Sequence, residues 1–168
     1  ALGPSIGYLP QGVDLFDGSI AENISRFSPG ANPDMIIEAA QLAGVHDLIL
    51  SMPDGYDTPI GNRGALLARR QRQRIGRARA LYGNPFLVVL DEPNANLDSE
   101  GEVALTRAIT AIRAAGSIII VVAHRPNALQ ALDHVLVMNG GAMVAFGPRD
   151  EVLRKTTRPT STSAPTPA

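Results

Sequence analysis

The chain has 168 residues, a formal net charge of −1 and no cysteine. This composition excludes disulfides and thiolate metal sites, and it argues against a protein built around polyanion binding. No apolar run approaches the roughly 20 residues needed to span a bilayer, and no signal peptide is visible. Hydrophobic residues make up 45% of the sequence but aromatics only 4%, so a packed core must come from Leu, Ile, Val and Ala. Fourteen of the fifteen basic residues are Arg, with Lys155 the exception, which reads as genomic base composition rather than chemistry.

The chain opens without Met at "ALGPSIGYLP", close to an expected strand, as the middle of a longer protein would. "SIGYLPQ" predicts a short strand ending at Pro10 and Gln11. Ser19 to Glu22 has the capping-box pattern and should start a short helix. "NPDMIIEAAQLAG" predicts a helix capped by Asn32, with Pro33 in its first turn and Gly44 at its end. Residues 45–52 predict another short helix, and "PDGYDTPIGNRG" a loop. Residues 69–82 are helical by composition. "FLVVLDEP" is a continuous apolar run ending in Asp91 and Glu92, which suits a strand buried on both faces of a parallel sheet.

A helix is expected over residues 99–114, capped by Asp98 or Ser99, with Gly116 just beyond it. "SIIIVVAH" is a second apolar strand, ending at His124. "HVLVMNGGAMVAFG" predicts a hairpin around Asn139, Gly140 and Gly141. "GPRDEVLR" begins a last helix. From Lys155 onward a Thr/Ser/Pro-rich tail is expected to be disordered. The strand–helix–strand alternation predicts an α/β fold with a parallel sheet. Ligand chemistry in such sheets collects at the carboxyl ends of the strands, where Gln11, Asp91, Glu92 and His124 all fall. An apolar strand ending in Asp-Glu fits a Walker B arrangement. There one carboxylate holds Mg²⁺ and the next acid acts on the attacking water.

In combination these segments resemble the nucleotide-binding domain of ATP-binding-cassette (ABC) transporters. In order they are "YLPQ" (Q-loop, Gln11), "QRQRIGRARAL" (the helix after the signature), "FLVVLDEP" (Walker B and the following Glu), "NANLD" (D-loop, ending at Asp98) and "VVAHR" (switch, His124). "IGYLPQ", "LFDGSIAENI", "AGVHDLI", "MPDGYDT" and "ALYGNP" resemble the type I secretion branch, the protease and lipase exporters. The resemblance covers residues 3–154. It implies catalytic roles for Glu92 (general base or water positioning), His124 (γ-phosphate contact) and Gln11. It further implies Mg²⁺ contacts from Asp91 and Gln11, and a link between two sites through Asp98.

This sequence departs from the family in two places. No Gly-x-x-x-x-Gly-Lys-Ser/Thr occurs anywhere in the 168 residues. The family's phosphate loop would precede Ala1, as would its adenine-stacking aromatic, so the chain reads as the C-terminal two-thirds of a cassette. The family's Leu-Ser-Gly-Gly-Gln signature falls on Leu67, Ala68, Arg69, Arg70 and Gln71, with Ala in place of the capping Ser and two arginines in place of the glycines. Leu66 and Arg77 also stand where other residue types are usual. Six arginines therefore crowd residues 69–79. A degenerate signature, a sequence-level accident such as two compensating frame shifts, and direct Arg contact to phosphate each account for the change. A nucleic-acid-binding helix is the reading from another class. The arginines are not confined to one helical face, however, and no aromatics are interleaved among them.

The sequence thus predicts an α/β, P-loop NTPase-like parallel sheet with the ABC helical signature subdomain, incomplete at its Walker A end. Residues 1–154 form a partial ATPase domain and residues 155–168 a disordered tail. The expected cofactors are ATP and Mg²⁺. The expected partners are the transmembrane domain of the same exporter and a second cassette in a head-to-tail dimer, with no nucleic acid. The parent protein is expected at the cytoplasmic face of the bacterial inner membrane, and the isolated chain is expected to be inactive. Two other function readings remain open, a degenerate non-catalytic cassette-like module and an Arg-rich nucleic-acid-binding protein.

Overall fold

The computed structural model describes residues 3–61, 64–94, 97, 99–124 and 129–156, except the side chain of Glu100. The chain divides into two compact units, Ala1–Ala128 and Leu129–Ala168.

The first unit contains three parallel strands, β1 (Ile6–Leu9), β2 (Leu87–Asp91) and β3 (Ile118–Val122), in the spatial order β1-β2-β3. Its helices are α1 (Ile20–Ile24), α2 (Pro33–Leu42), α3 (His46–Leu50), α4 (Arg69–Leu81) and α5 (Ser99–Ala114). Short 3₁₀ turns occupy Gly3–Ser5 and Gly55–Asp57. The local start signals act as the sequence predicts. Ser19 Oγ accepts from the Glu22 N–H at 3.1 Å, and Glu22 Oε2 accepts from the Ser19 N–H at 2.7 Å, completing the capping box. Asn32 Oδ1 accepts from the Asp34 N–H at 2.9 Å, with Pro33 as the first helical residue.

The core is aliphatic, as expected. Leu9, Ile20, Ile24, Ile49, Ile60, Ile75, Val88 and Leu90 are buried, with α4 packed on β1 and β2, α1 on α4, and α3 on α2. Asn23 is a polar side chain held fully inside the core. Asn23 accepts from the Phe16 N–H at 2.8 Å and donates to the carbonyls of Phe16 and Ser19, each at 3.0 Å. These bonds compensate its burial and fix the turn that leads into α1.

Helix α4 is the organising element. It packs against α1, α2 and β1. Its approach to β1 is so close that a Cβ built on Gly7 would stand 1.8 Å from the Ala80 carbonyl oxygen. Gly76, inside α4, makes the same kind of room, since a Cβ there would lie 2.6 Å from a Val13 methyl. Arg26 secures the arrangement. Its Nε donates to the Arg79 carbonyl at 3.0 Å, Nη1 to those of Gly3 and Ile6 at 3.2 and 3.0 Å, and Nη2 to those of Ala80 and Tyr82 at 3.4 and 3.2 Å. A cation is therefore placed on the last carbonyls of α4, where the helix dipole favours positive charge. Partial burial lowers the Arg26 pKa from its ordinary value.

The apolar strands are less enclosed than their sequences suggest. In β2, Val88 and Leu90 are buried, while Leu87 and Val89 are only partly covered. In β3, Ile118, Ile120 and Val122 are each about half exposed (50%, 49% and 52%). The continuous apolar run of β2 predicts burial on both faces, whereas alternate residues are only partly covered. Among the described residues of this unit, β3 is an edge strand, covered mainly on the side where α5 packs.

The second unit is a hairpin of β4 (His134–Asn139) and β5 (Ala142–Pro148), with a register shift at Val137/Met138, followed by α6 (Arg149–Thr156). Gly140 and Gly141 have φ of 57° and 79°, the left-handed pair that a two-residue hairpin turn requires. The last helix continues two residues past the boundary expected at Arg154. From residue 157 on, the expected tail lies outside the described residues.

The Gly7 contact gives a direct test. Gly7→Ala should cost about 2–3 kcal/mol or prevent folding, by overpacking against a backbone that cannot yield. Gly12→Ala, where nothing lies within 4 Å, should stay within about 0.5 kcal/mol of the parent. Urea unfolding of the two variants checks the difference.

Candidate functional site at the carboxyl ends of the strands

The parallel pairing brings the ends of β1, β2 and β3 to one edge of the sheet, because Leu9 pairs with Leu90 and Asp91 with Val122. Gln11 follows β1, Asp91 ends β2 with Glu92 next, and His124 lies two residues beyond β3. The sequence predicted this gathering from strand ends alone.

Glu92 and His124 are in direct contact. His124 Nδ1 lies 2.5 Å from Glu92 Oε1, with the His124 side chain largely exposed and that of Glu92 only 14% exposed. With the carboxylate as acceptor, His124 donates from Nδ1, leaving Nε2 as the ring's other polar atom. The backbone contributes as well. Glu92 has φ of 49°, a left-handed conformation for a residue with a full side chain, and its N–H donates to the Val122 carbonyl at 2.8 Å. Such a conformation costs on the order of 1–2 kcal/mol. Here it turns the chain at the end of β2, where the Glu92 carboxylate meets His124, two residues beyond β3. Nothing in the residue type signals this strain, since Glu is not among the residues that favour the left-handed region.

Gln11 is exposed, and its main-chain carbonyl accepts from Gln73 Nε2 at 2.8 Å. Gln73 is nearly buried on α4, so the signature helix holds the loop that carries Gln11. Sequence reasoning missed this residue, because the partner is a carbonyl 62 positions away. Asp98 lies outside the described residues. Among the described residues no group of three or more His, Asp or Glu is gathered as a ready-made metal cage. The oxygen donors at this edge nonetheless suit Mg²⁺, which takes one or two carboxylates and completes its shell with water and phosphate oxygens.

The signature segment is placed at the start of α4. Leu67 is buried, Ala68 is the N-cap, and Arg69 and Arg70 are the first two helical residues, both exposed. Ala68 has extended cap geometry (φ −64°, ψ 153°) but no side-chain acceptor. Only the reciprocal half of a capping box forms, with the Ala68 N–H donating to Gln71 Oε1 at 2.8 Å. No acidic residue occupies the first turn, so two guanidinium groups face the positive end of the helix dipole.

The other four arginines point to different work. Arg72 donates to the Leu67 carbonyl at 2.7 Å, and Arg79 to that of Asp14 at 3.1 Å while lying 5.7 Å from the Phe16 ring centre. Arg74 reaches the Gly44 carbonyl at 3.5 Å, and Arg77 is buried. These four tie α4 to its own surroundings, which is why their sequence spacing follows no single helical face.

Three parallel strands with these residues at their ends, a helical layer led by α4, and extended sequence similarity together define the class: the chain belongs to the ATP-binding family of ABC transporters. No protein-family model matches it. The type I secretion system ATP-binding protein PrsD of Rhizobium meliloti (strain 1021) is 59% identical over 159 residues, covering 95% of this chain and 27% of that protein. The alpha-hemolysin translocation ATP-binding protein HlyB of Escherichia coli is 39% identical over 148 residues, covering 88% of this chain and 21% of that protein. A solved bacterial Atm1-family ABC exporter with ATP bound superposes with a TM-score of 0.82 at 32% identity, over 91% of this chain and 27% of that one. The chain therefore spans about a quarter of the length of the relatives it matches. Among its described residues no helix is long and apolar enough to cross a membrane.

The missing cap predicts a gain. Ala68→Ser should stabilise the chain by about 1 kcal/mol, because the extended backbone at this position already suits a side-chain acceptor. Thermal unfolding should show this as a rise of about 2–4 °C in midpoint.

Proposed function

We propose that this chain is the carboxylate- and histidine-bearing part of an ATP-hydrolysing cassette that drives export, in a type I secretion transporter. The observation that carries the reading is the Glu92–His124 contact, made at the common edge of the three strand ends. In phosphoryl transfer the protein contributes mainly position and charge. Glu92 would orient or deprotonate the attacking water, with His124 fixing its carboxylate and meeting the terminal phosphate. Asp91 would hold Mg²⁺ with Gln11 beside it, and the ion would neutralise charge on the phosphates. Gln11 would sense the nucleotide through a loop braced by Gln73. Asp98 would couple this site to a second one, and Leu67, Ala68, Arg69, Arg70 and Gln71 would face the nucleotide of a partnering cassette. The transmembrane domain of the exporter and that second cassette are the partners, and the inner-membrane surface facing the cytoplasm is the location.

Since the 168 residues hold no glycine-rich Lys-Ser/Thr phosphate loop, the chain alone should turn over Mg-ATP negligibly. In a full-length exporter carrying this sequence, Glu92→Gln should lower ATPase turnover by about 10²-fold or more. Turnover unchanged by Glu92→Gln would overturn the assignment.

A second reading rests on Arg69 and Arg70, which stand exposed at the start of α4 and would crowd any phosphate brought there. On that reading the chain is a non-catalytic cassette-like module. Replacing Ala68, Arg69 and Arg70 by Ser, Gly and Gly in the full-length exporter separates the two. A large gain in ATPase marks an enzyme with an altered signature, and no gain marks a module that does not cycle.

A further inference from the structure

Among the described residues, no opposite charge answers that of Arg77. Its side chain is the largest fully buried one among the described residues, at 1% exposure. Nη1 reaches the Ala43 carbonyl at 3.5 Å and Nη2 that of Pro93 at 3.4 Å, both long for hydrogen bonds, and Nε is buried with no partner. Burial pushes the Arg77 pKa down to about 10, and the neighbouring charge that acts on it is another cation, Arg74. No carboxylate among the described residues compensates it. A guanidinium removed from water without a counter-charge is among the costliest groups a protein can hold.

Arg77 also lines an open cavity of about 910 Å³ bordered by α2, α3, α4 and α5. Arg74 and Arg107 line it too, as does Ser99 in the first turn of α5, which adds the positive end of that 16-residue helix. Glu38 and Asp47 are the facing carboxylates. Among the described residues that line it, Arg77 is the most deeply buried cation, and no described carboxylate pairs with it. None of Asp91, Glu92 and His124 contributes to this lining.

We propose that this cavity binds a phosphate-type oxyanion, free or carried on a small molecule, which supplies the counter-charge that Arg77 lacks. Planar guanidinium groups and a helix N-terminus are the donors that such an oxyanion takes. The inference is independent of ATP hydrolysis at the strand ends.

Thermal unfolding of the full chain in inorganic phosphate, against chloride at matched ionic strength, tests it. The parent midpoint should rise saturably, by about 3–6 °C at ten times the dissociation constant. Arg77→Leu, similar in volume and free of the buried charge, should start from a higher midpoint in chloride and show no response to phosphate. Should that variant not fold, Arg107→Gln serves instead, since Arg107 is exposed. It should raise the half-saturating phosphate concentration by about tenfold, an effect of the size expected for one charge-assisted contact. Glycerol 2-phosphate separates the sources: saturation at lower concentration than phosphate indicates an esterified ligand, and saturation at the same or higher concentration indicates the free ion. No saturable rise in the parent, an equal rise in Arg77→Leu, or unchanged half-saturation in Arg107→Gln would each overturn the proposal.

Discussion

The approach of α4 to β1 is the constraint on which the rest of the first unit depends. Gly7 lets the strand come against the Ala80 carbonyl, and Arg26 then binds the end of the helix to the start of the strand through five carbonyls. Charge-assisted hydrogen bonds of this kind contribute about 1.5–3 kcal/mol where both partners are sheltered, and less at the exposed end of the network. With the C-terminal end of α4 fixed, its N-terminal end has a defined position too. Gln73 then reaches the Gln11 loop, and Ala68 to Gln71 present the signature segment.

Two kinds of strain accompany this arrangement. Glu92 adopts a left-handed backbone, which bends the chain after β2 so that its carboxylate meets His124. Arg77 is held in the interior with poor hydrogen bonds. The first is local and repaid by geometry at the strand ends, since unusual backbone conformations persist where the surroundings over-determine them. The second has no such return within the described residues, and an ion from solution is the physical remedy proposed for it.

The arginine-rich stretch shows how composition can mislead. Six arginines in eleven residues suggest a basic binding face. The structure separates them by depth: Arg72, Arg74, Arg77 and Arg79 serve carbonyls of the same unit, and Arg69 and Arg70 alone stand exposed at the helix start. Long side chains with several donors can satisfy backbone oxygens in several directions, so the helical spacing of arginines carries little information about where their charge resides.

The sequence by itself determined the local structure and the order of the chemistry. Ser19 with Glu22, Asn32 with Pro33, and the two-glycine turn at Gly140 and Gly141 act through neighbours a few residues apart, so their signals are complete in the sequence. The apolar runs before Asp91 and His124 likewise marked strand ends, and parallel pairing then brought those ends together. Tertiary structure alone decided the Glu92–His124 contact distance, the Gln73 bond to Gln11, the five-carbonyl clamp of Arg26 and the burial of Arg77. Each of these joins residues from distant parts of the chain, and most involve a backbone carbonyl, a group that every residue carries. No residue type can signal such a partner in advance. For the same reason the exposure of Ile118, Ile120 and Val122 was not legible: an apolar strand records what it can pack against, and only its neighbours in the sheet decide how much of it is covered.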